Sequence, residues 1–548
     1  MSTSINLDTR RSPYPTNTPY PMTDLVTYET PAPSVAIIGM GFAGTWLEIY
    51  VIDQSKIDLT IYEIESHEGR RGGGIAYGEC DAAHQVNLSP SRQYGPHDDD
   101  RDYIDWLNSS DRANWPEPFK TSAAGRVFGP GSGEYPRSLF KLYSTDRLNQ
   151  AKARATERGL KISCVPIMAE AVAIDESGKR AVIDLSAMRN TCGNPLHVMN
   201  LDNGVGNKVV TDVWVAASGH GPAIVPPFMR NRAASERVAL DPWCPMVAKR
   251  MAQRDQSESI LYVGTGMTTY DLIMMDEARG HSGKAVMASR HADMHHVYAE
   301  GQVYQPVPVE TPDAFASATT ADELLRGKAG SYVGALDVYR RLTSPTADGG
   351  QGLSSEHVLL GWQHHIPQIL SRLPDVEIAK LFREKTPLNT RAIGIAPNVG
   401  KAMDRAFARG LEIWAADIHD MEERPDGIYV HLTRRETSPG TREVVRFDRV
   451  YSGLGMANDF NYIKDKSPLW ENIIEKNGFT TPHRFGGVMA EPGGKLPGSR
   501  CGYVIGMPLT GMRIERGFAP TISGAVVSIR TDFPAVSERI AAQLKALP

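Results

Sequence analysis

Apolar and polar positions first fall into a regular order at Val35-Ala36-Ile37-Ile38, a short apolar run closed by Gly39. A helical stretch from Thr45 to Asp53 follows, then a second apolar run, Leu59-Thr60-Ile61-Tyr62, which ends at Glu63. Strand, glycine turn, helix, strand and acidic residue, in that order, predict a mononucleotide-binding βαβ unit. From Lys161 to Val215 the rhythm shortens. Ile162–Pro166, Glu170–Asp175, Ala181–Leu185 and Val209–Ala217 read as strands separated by turns such as Glu176-Ser177-Gly178-Lys179, which predicts a meander followed by a buried strand. The plan then recurs. Ser259–Val263 precedes Gly264-Thr265-Gly266, a helix, the strand Ala285–Ala288, a mostly helical stretch over 320–410, and a second meander over 411–451 with a closing strand Val444–Tyr451.

The predicted class is α/β, with two Rossmann-like dinucleotide-binding domains, β-meander insertions and a helical insert. The expected division is a disordered or strap-like tail over 1–33, a first dinucleotide domain over 34–235, and a second over 258–456 with the helical insert at about 310–410. Residues 457–548 are expected to return to the first domain.

Composition narrows the functional classes. The chain has 548 residues, 41% hydrophobic and 22% charged, with a formal charge of −5; this is globular composition with no basic footprint for nucleic acid or a membrane surface. Residues 1–33 are rich in Thr, Ser and Pro and bury too little apolar area to order themselves. Asp8, Asp24 and Glu29 interrupt them, against a transit peptide. There is no run of 18 apolar residues and no signal-peptide core, and the cysteines Cys80, Cys164, Cys192, Cys244 and Cys501 form no CxxC pair. A soluble, reduced, cytoplasmic protein is expected, with neither zinc ribbon nor disulfide framework.

The candidate chemistry lies in the turns. In Gly39-Met40-Gly41-Phe42-Ala43-Gly44, Gly39 allows the tight turn, Gly41 admits a pyrophosphate to the backbone and Gly44 lets helix pack on strand. Glu63, 24 residues after Gly39, is placed to accept from ribose hydroxyls. The second turn, Gly264-Thr265-Gly266-Met267-Thr268-Thr269, has Thr269 in place of the third glycine, which predicts a looser turn. Ser289-Arg290 stands at its acidic position, and Arg290 suits a 2′-phosphate, hence NADP; an ordinary surface arginine is the plainer alternative. After the first unit, Arg70-Arg71-Gly72-Gly73-Gly74-Ile75-Ala76-Tyr77-Gly78 would let main chain run close to a flat ligand, the alternative being a surface loop. His291, His295, His296, His364 and His365 lack a carboxylate at helical spacing, so surface or pocket histidines are expected and no metal.

The run Gly72–Gly78, with Val86-Asn87-Leu88-Ser89-Pro90, Asp102–Leu107, Tyr135-Pro136-Arg137, Gly264–Asp271 and Tyr503–Gly506, resembles FAD/NAD(P)-binding oxidoreductases with two dinucleotide domains. The likeness spans about residues 34–540. Asp212-Val213-Trp214-Val215-Ala216-Ala217-Ser218-Gly219-His220 resembles a motif of class B and N-hydroxylating flavin monooxygenases, departing from it at Ala216 and Ser218. The resemblance implies FAD at the first turn and NADPH at the second. It implies flavin-ring contacts along Gly74, Tyr77, Gln85, Asn87 and Leu88, and a C-terminal return through Gly506 and a helix start near Thr521.

In the leading reading, reduced flavin and O2 form a C4a-(hydro)peroxide that oxidises an amine nitrogen of a small molecule or amino acid. Gln85, Asn87 and Arg137 are candidate flavin-facing groups; Arg391, Arg513 and Arg516 are candidate partners for a substrate carboxylate. A reductase or dehydrogenase without oxygen insertion, or a nucleotide-sensing protein without turnover, are the alternatives. The missing CxxC argues against a disulfide reductase, and Phe485-Gly486-Gly487 lacks the rest of a Baeyer–Villiger motif. Oligomeric state stays open.

Overall fold

The computed structural model describes residues 27–547 apart from 85–100, most of 110–135, 187–206, most of 296–308, most of 345–360, 385–394, 437–439, 516–531 and a few single positions. Its first sheet has five parallel strands in the order β18-β8-β2-β3-β4: β2 (Ser34–Ile38), β3 (Leu59–Glu65), β4 (Ile162–Met168), β8 (Val213–Ala216) and β18 (Gly502–Val504). Strands β2, β3, β8 and β18 are buried throughout and read as near-continuous apolar runs, while the edge strand β4 is partly exposed. Three helices cover one face: α1 (Phe42–Gln54), α2 (Arg137–Glu157) and α5 (Asp532–Lys545). Trp46, Phe140, Tyr143 and Phe533 interlock there, all completely buried. The other face carries Tyr62, Ile64 and Trp214 against Trp470, Ile473 and Phe479 from the C-terminal part.

Beside this sheet lies the first meander, in the order β1-β7-β6-β5, built from β1 (Thr27–Tyr28), β5 (Glu170–Asp175), β6 (Ala181–Ser186) and β7 (Asn207–Thr211). The end of the N-terminal segment is therefore a strap: Thr27 and Tyr28 pair with Lys208 and Val209, and Arg180 bonds Glu29 and Thr30.

The second sheet has seven strands, β16-β15-β14-β11-β10-β17-β9. Its parallel part is β9 (Val238–Ala239), β10 (Ile260–Val263), β11 (Ala285–Ser289), the first half of β14 (Glu412–Arg424) and β17 (Arg449–Ser452). The far half of β14 turns into an antiparallel meander with β15 (Gly427–Arg434) and β16 (Glu443–Phe447). Helices α3 (Met267–Ala278) and α4 (Pro397–Ala408) cover one face. Between β11 and α4 the insert is helical as predicted, with helices at Ala314–Ser317, Ala321–Arg326, Ala335–Thr343, Ile366–Arg372 and Asp375–Glu384. A small hairpin, β12 (Gly327–Lys328) and β13 (Tyr332–Val333), interrupts it.

Two predicted strands are each split in two. Val209–Ala217 breaks at Asp212, leaving β7 in the meander and β8 in the parallel sheet; Val444–Tyr451 breaks at Asp448, between β16 and β17. The cause is the same at both. Asp212 accepts from the Ser34 amide at 2.9 Å and its hydroxyl at 3.0 Å, while the Asp212 amide donates to that hydroxyl at 3.2 Å. Asp448 takes the amide and hydroxyl of Ser259 at 2.8 and 2.7 Å, and returns its own amide at 3.0 Å. An arginine completes each clasp, Arg180 on Asp212 at 3.0 Å and Arg446 on Asp448 at 2.6 Å. Each carboxylate thus pins the first residue of, or just before, a nucleotide-fold strand to the start of its neighbour. No helix among the described residues is long and apolar enough to cross a membrane.

Candidate nucleotide-binding site

At the carboxyl end of the first sheet the glycine turn is held by main chain. The Gly39 amide donates to Ile64 O at 2.8 Å, and the Ala217 amide to Ile38 O at 2.8 Å. Gly39 has φ of +97°, and a Cβ on it would stand 2.5 Å from Ala217 O, so only glycine fits. A Cβ on Gly41 would lie 2.9 Å from the Cα of Gly74. The triple-glycine segment therefore crosses the fingerprint at backbone contact, pinned by the Gly72 amide on Met40 O at 2.8 Å, and runs into a short helix, Gly74–Tyr77. Helix α1 is N-capped by Gly41 with no side-chain cap, which leaves its positive end for a bound anion.

These elements enclose a cavity of about 420 Å³. Gly39, Gly41, Phe42, Ala43, Gly74, Tyr77 and Gly506 of the predicted set all line it; Gly44 lies behind, where a Cβ would meet Gly39 O at 2.0 Å. Tyr77 packs on Phe42 and Phe140 with ring centroids 5.3 and 4.9 Å apart, and burial pushes its hydroxyl pKa up to about 12.

Glu63, expected at the ribose, is not among the residues that line the cavity. It is turned under α1 and α2, pairs with Arg71, and lies 3.4 Å from Lys152. The acid on the wall is Glu65, which accepts from the amides of Met40 at 2.9 Å and His67 at 3.1 Å. Burial raises its pKa, and those amides oppose the rise. The signal was in the chain: Ile64 continues the apolar alternation beyond Glu63, so the strand and its terminal acid lie two residues further on.

Beneath the fingerprint, Glu48, Glu63 and Cys164 bring their ligand atoms within 4.8 Å of one another, a spacing suited to a metal. Lys152 fills that place, its Nζ 3.3 Å from Glu48 and 3.4 Å from Glu63. Burial first, then the neighbouring Glu63, raises the Glu48 pKa to about 8, so at neutral pH it carries a proton and hydrogen-bonds Glu63. For Glu63 burial works upward, but that bond together with Arg71 and Lys152 outweighs it and leaves the pKa below the usual range.

Sequence reasoning missed the opposite wall. Ala169, Glu170 and Ala171, at the step from β4 to β5, line the cavity, as do Ser467, Leu469 and Trp470. The Trp470 indole donates to Ser218 Oγ at 3.1 Å, which gives Ser218 of the linking motif a defined partner. Nothing local in 467–470 announces this, because the segment lies some 250 residues from the strand it meets.

The second turn repeats the first. The Gly264 amide donates to Ala288 O at 2.7 Å and the Gly453 amide to Val263 O at 2.8 Å. Helix α3 starts at Met267 and Thr268 with Gly266 as its uncapped N-cap. The looser turn expected from Thr269 is not found. Its hydroxyl closes the turn on Gly264 O at 2.9 Å, in space released by Gly453, where a Cβ would fall 1.9 Å from Thr269 Oγ1. Ser289 Oγ accepts from Thr265 Oγ1 at 3.1 Å and from the Ala292 amide at 3.0 Å, which presents Arg290 at the exposed end of β11.

Two of the predicted arginines are committed elsewhere. Arg137, expected near the flavin, forms a two-point pair with Asp271 of α3 at 2.8 and 2.9 Å, with side chains 10% and 7% exposed. A second bridge, Asp81 to Arg279 at 2.5 Å, grips the other end of α3. Arg513, a candidate for a substrate carboxylate, has its Nε on Asp532 at 2.7 Å in a buried pair. Gln85, Asn87, Leu88, Arg391, Arg516 and Thr521 lie outside the described residues. Cys80, Cys164 and Cys501 are free thiols, while Cys244 is disulfide-bonded.

Residues 36–193 match the FAD-NAD(P)-binding family. No curated protein matches the chain. Among solved structures, the ornithine hydroxylase of Pseudomonas aeruginosa has 12% identity, with 94% of this chain and 100% of that one covered and a TM-score of 0.52. The L-lysine 6-monooxygenase of Pseudomonas syringae has 13% identity, 94% and 99% coverage, and a TM-score of 0.52. The ornithine N-hydroxylase of Kutzneria sp. 744, whose structure is described with reduced FAD, NADP+ and L-ornithine, has 13% identity, 93% and 99% coverage, and a TM-score of 0.50. Residues 36–193 thus carry an FAD-NAD(P)-binding match, and the chain shares its overall fold with these hydroxylases and this monooxygenase.

Proposed function

We propose that the chain is an FAD-dependent, NADPH-consuming monooxygenase that N-hydroxylates a small amine or amino acid. The observation that carries this reading is the pairing of two open glycine turns in one fold, the first facing a cavity walled by Glu65, Tyr77 and Trp470 and the second ending at Ser289-Arg290. Likeness of fold to two ornithine hydroxylases, one of them an N-hydroxylase, and an L-lysine 6-monooxygenase over more than nine-tenths of the chain supports it.

The fit to FAD rests on the cradle: Gly39 and Gly41 admit main chain where a Cβ would not, and Gly74 crosses them with φ of +64°. In this assignment 34–235 with 457–548 hold FAD, and 258–456, including the insert at about 310–410, hold NADPH. Glu65 would accept from the ribose hydroxyls, the N-terminus of α1 would hold the pyrophosphate, and Ala169–Ala171 would line the same cavity. Arg290 meets the 2′-phosphate. FAD supplies the electron chemistry, by which NADPH, O2, a proton and an amine give NADP+, water and a hydroxylamine, one oxygen atom going to nitrogen and the other to water. The protein positions both nucleotides and keeps water from the reacting groups.

The test is anaerobic reduction by NADPH followed by oxygenated buffer containing L-ornithine, L-lysine or simple diamines, with products read by mass. Bleaching of the flavin band and an amine product heavier by one oxygen atom are expected. If the oxidised spectrum returns with stoichiometric hydrogen peroxide and no oxygenated amine, a reductase without oxygen insertion is the better reading. If no flavin binds, the cofactor assignment falls as well.

A further inference from the structure

Strand β14 lies beside β11 with Ala415 opposite Ser289, and on its other side the Arg435 amide donates to Ala415 O at 2.8 Å. The backbones that carry Arg290 and Arg435 therefore flank a single strand, about 10 Å apart at ordinary strand spacing, a gap that two arginine side chains close. Between them stands Asp417. It accepts from Nε and Nη2 of Arg435 at 2.8 Å each. That bond, aided by the charges of Arg435, His419 and Arg290, holds the Asp417 carboxyl below its ordinary pKa. The His419 ring meets Thr433 at 3.0 Å, on the same hairpin. Two guanidiniums against one carboxylate leave a net positive charge at the carboxyl end of β11, where the adenosine ribose of a dinucleotide reaches in this fold. A guanidinium already engaged through two donors is also oriented for a phosphate, which accepts in the same geometry.

We propose that Arg435 is the second arm of a two-arginine fork that recognises the 2′-phosphate of the nicotinamide nucleotide, and that Asp417 is the internal competitor that sets the strength of that recognition. This rests on the assignment of the second fold to NADPH. No local motif joins the parts, since Arg435 lies in a hairpin far along the chain from the turn it serves.

The experiment is calorimetric titration of the FAD-loaded protein with adenosine 2′,5′-bisphosphate and, as the probe without the 2′-phosphate, 5′-AMP. The variants are R435Q, D417N, the double variant D417N/R435Q, and R290Q, each checked for folding by circular dichroism. R435Q is expected to weaken the bisphosphate about ten-fold and to leave 5′-AMP within two-fold. D417N is expected to tighten the bisphosphate several-fold. The double variant, in which no carboxylate is freed to capture Arg290, is expected to bind less tightly than D417N alone. Unchanged bisphosphate binding in R435Q and no further loss in the double variant, with R290Q still weakened, would overturn the fork and leave Arg435 as the partner of Asp417 alone. If the unaltered protein binds both probes equally, the NADPH assignment falls, and the fork with it.

Discussion

Glu63 and Glu65 stand two positions apart on the same side of β3, yet only the second reaches the cavity. The difference is depth along the strand: Glu63 is still under the helices, where Arg71 and Lys152 neutralise it, and Glu65 has arrived at the carboxyl edge, where the amides of Met40 and His67 hold it. Glu65→Gln is therefore expected to weaken FAD retention by about ten-fold or more, as for loss of one or two hydrogen bonds to a charged acceptor. Glu63→Gln is expected to keep its flavin but to lower the denaturation temperature, since it strips Arg71, Lys152 and protonated Glu48 of their shared partner. Flavin-to-protein ratio after gel filtration, beside a thermal melt, separates the two. The glycines of both turns were legible because local chain geometry dictates them, whereas Tyr77 and Gly506, which line the cavity, were implied only by the family resemblance. The ion pairs of Arg137 and Arg513 were not legible, because a charge in sequence shows no partner and theirs, Asp271 and Asp532, are supplied by folding.

At the level of elements, a run of apolar residues does not say which sheet it enters. Val209–Ala217 and Val444–Tyr451 each read as one strand because apolar residues dominate both sides of the break, and only the aspartate within marks the change of sheet. The two clasps make a matched prediction. Asp212→Ala and Asp448→Ala are each expected to cost about 2–3 kcal/mol, the loss of several charge-assisted bonds at a partly buried carboxylate. Urea unfolding checks this, and in each case the accompanying serine variant, Ser34→Ala or Ser259→Ala, should add far less than its own cost, because the pair acts as a unit. Thr269 teaches the converse lesson. A residue that looks like a defect in the fingerprint is absorbed when a distant glycine, Gly453, gives up the volume it needs.

Across the whole molecule, helix α3 joins the two nucleotide folds through Arg137–Asp271 near its start and Asp81–Arg279 at its end. The first pair is buried, so Arg137→Ala leaves the Asp271 charge stranded and is expected to cost roughly 3–5 kcal/mol. Replacing both partners together, as in R137M/D271L, should recover much of that stability. Because α3 also presents the second turn, both variants are expected to slow reduction of bound flavin by NADPH while FAD stays bound, as read by stopped-flow absorbance. If the double variant reduces at the unaltered rate, the pair is a support for the fold and does not set the distance between the nucleotides. These long-range bridges were not legible in the sequence, where their members are separated by well over a hundred residues.

The place of β18 bears on how the chain is made. It docks on β8 in parallel, but emerges from the ribosome almost three hundred residues later. At ordinary synthesis rates that interval is roughly 15–60 s, during which everything needed for the second sheet has been delivered while the first still presents an unpaired apolar edge at Val213–Ala216. The inner unit is thus complete before the outer one closes around it. The newborn polypeptide, rather than the finished fold, is the form most exposed to self-association and most in need of a chaperone's shelter.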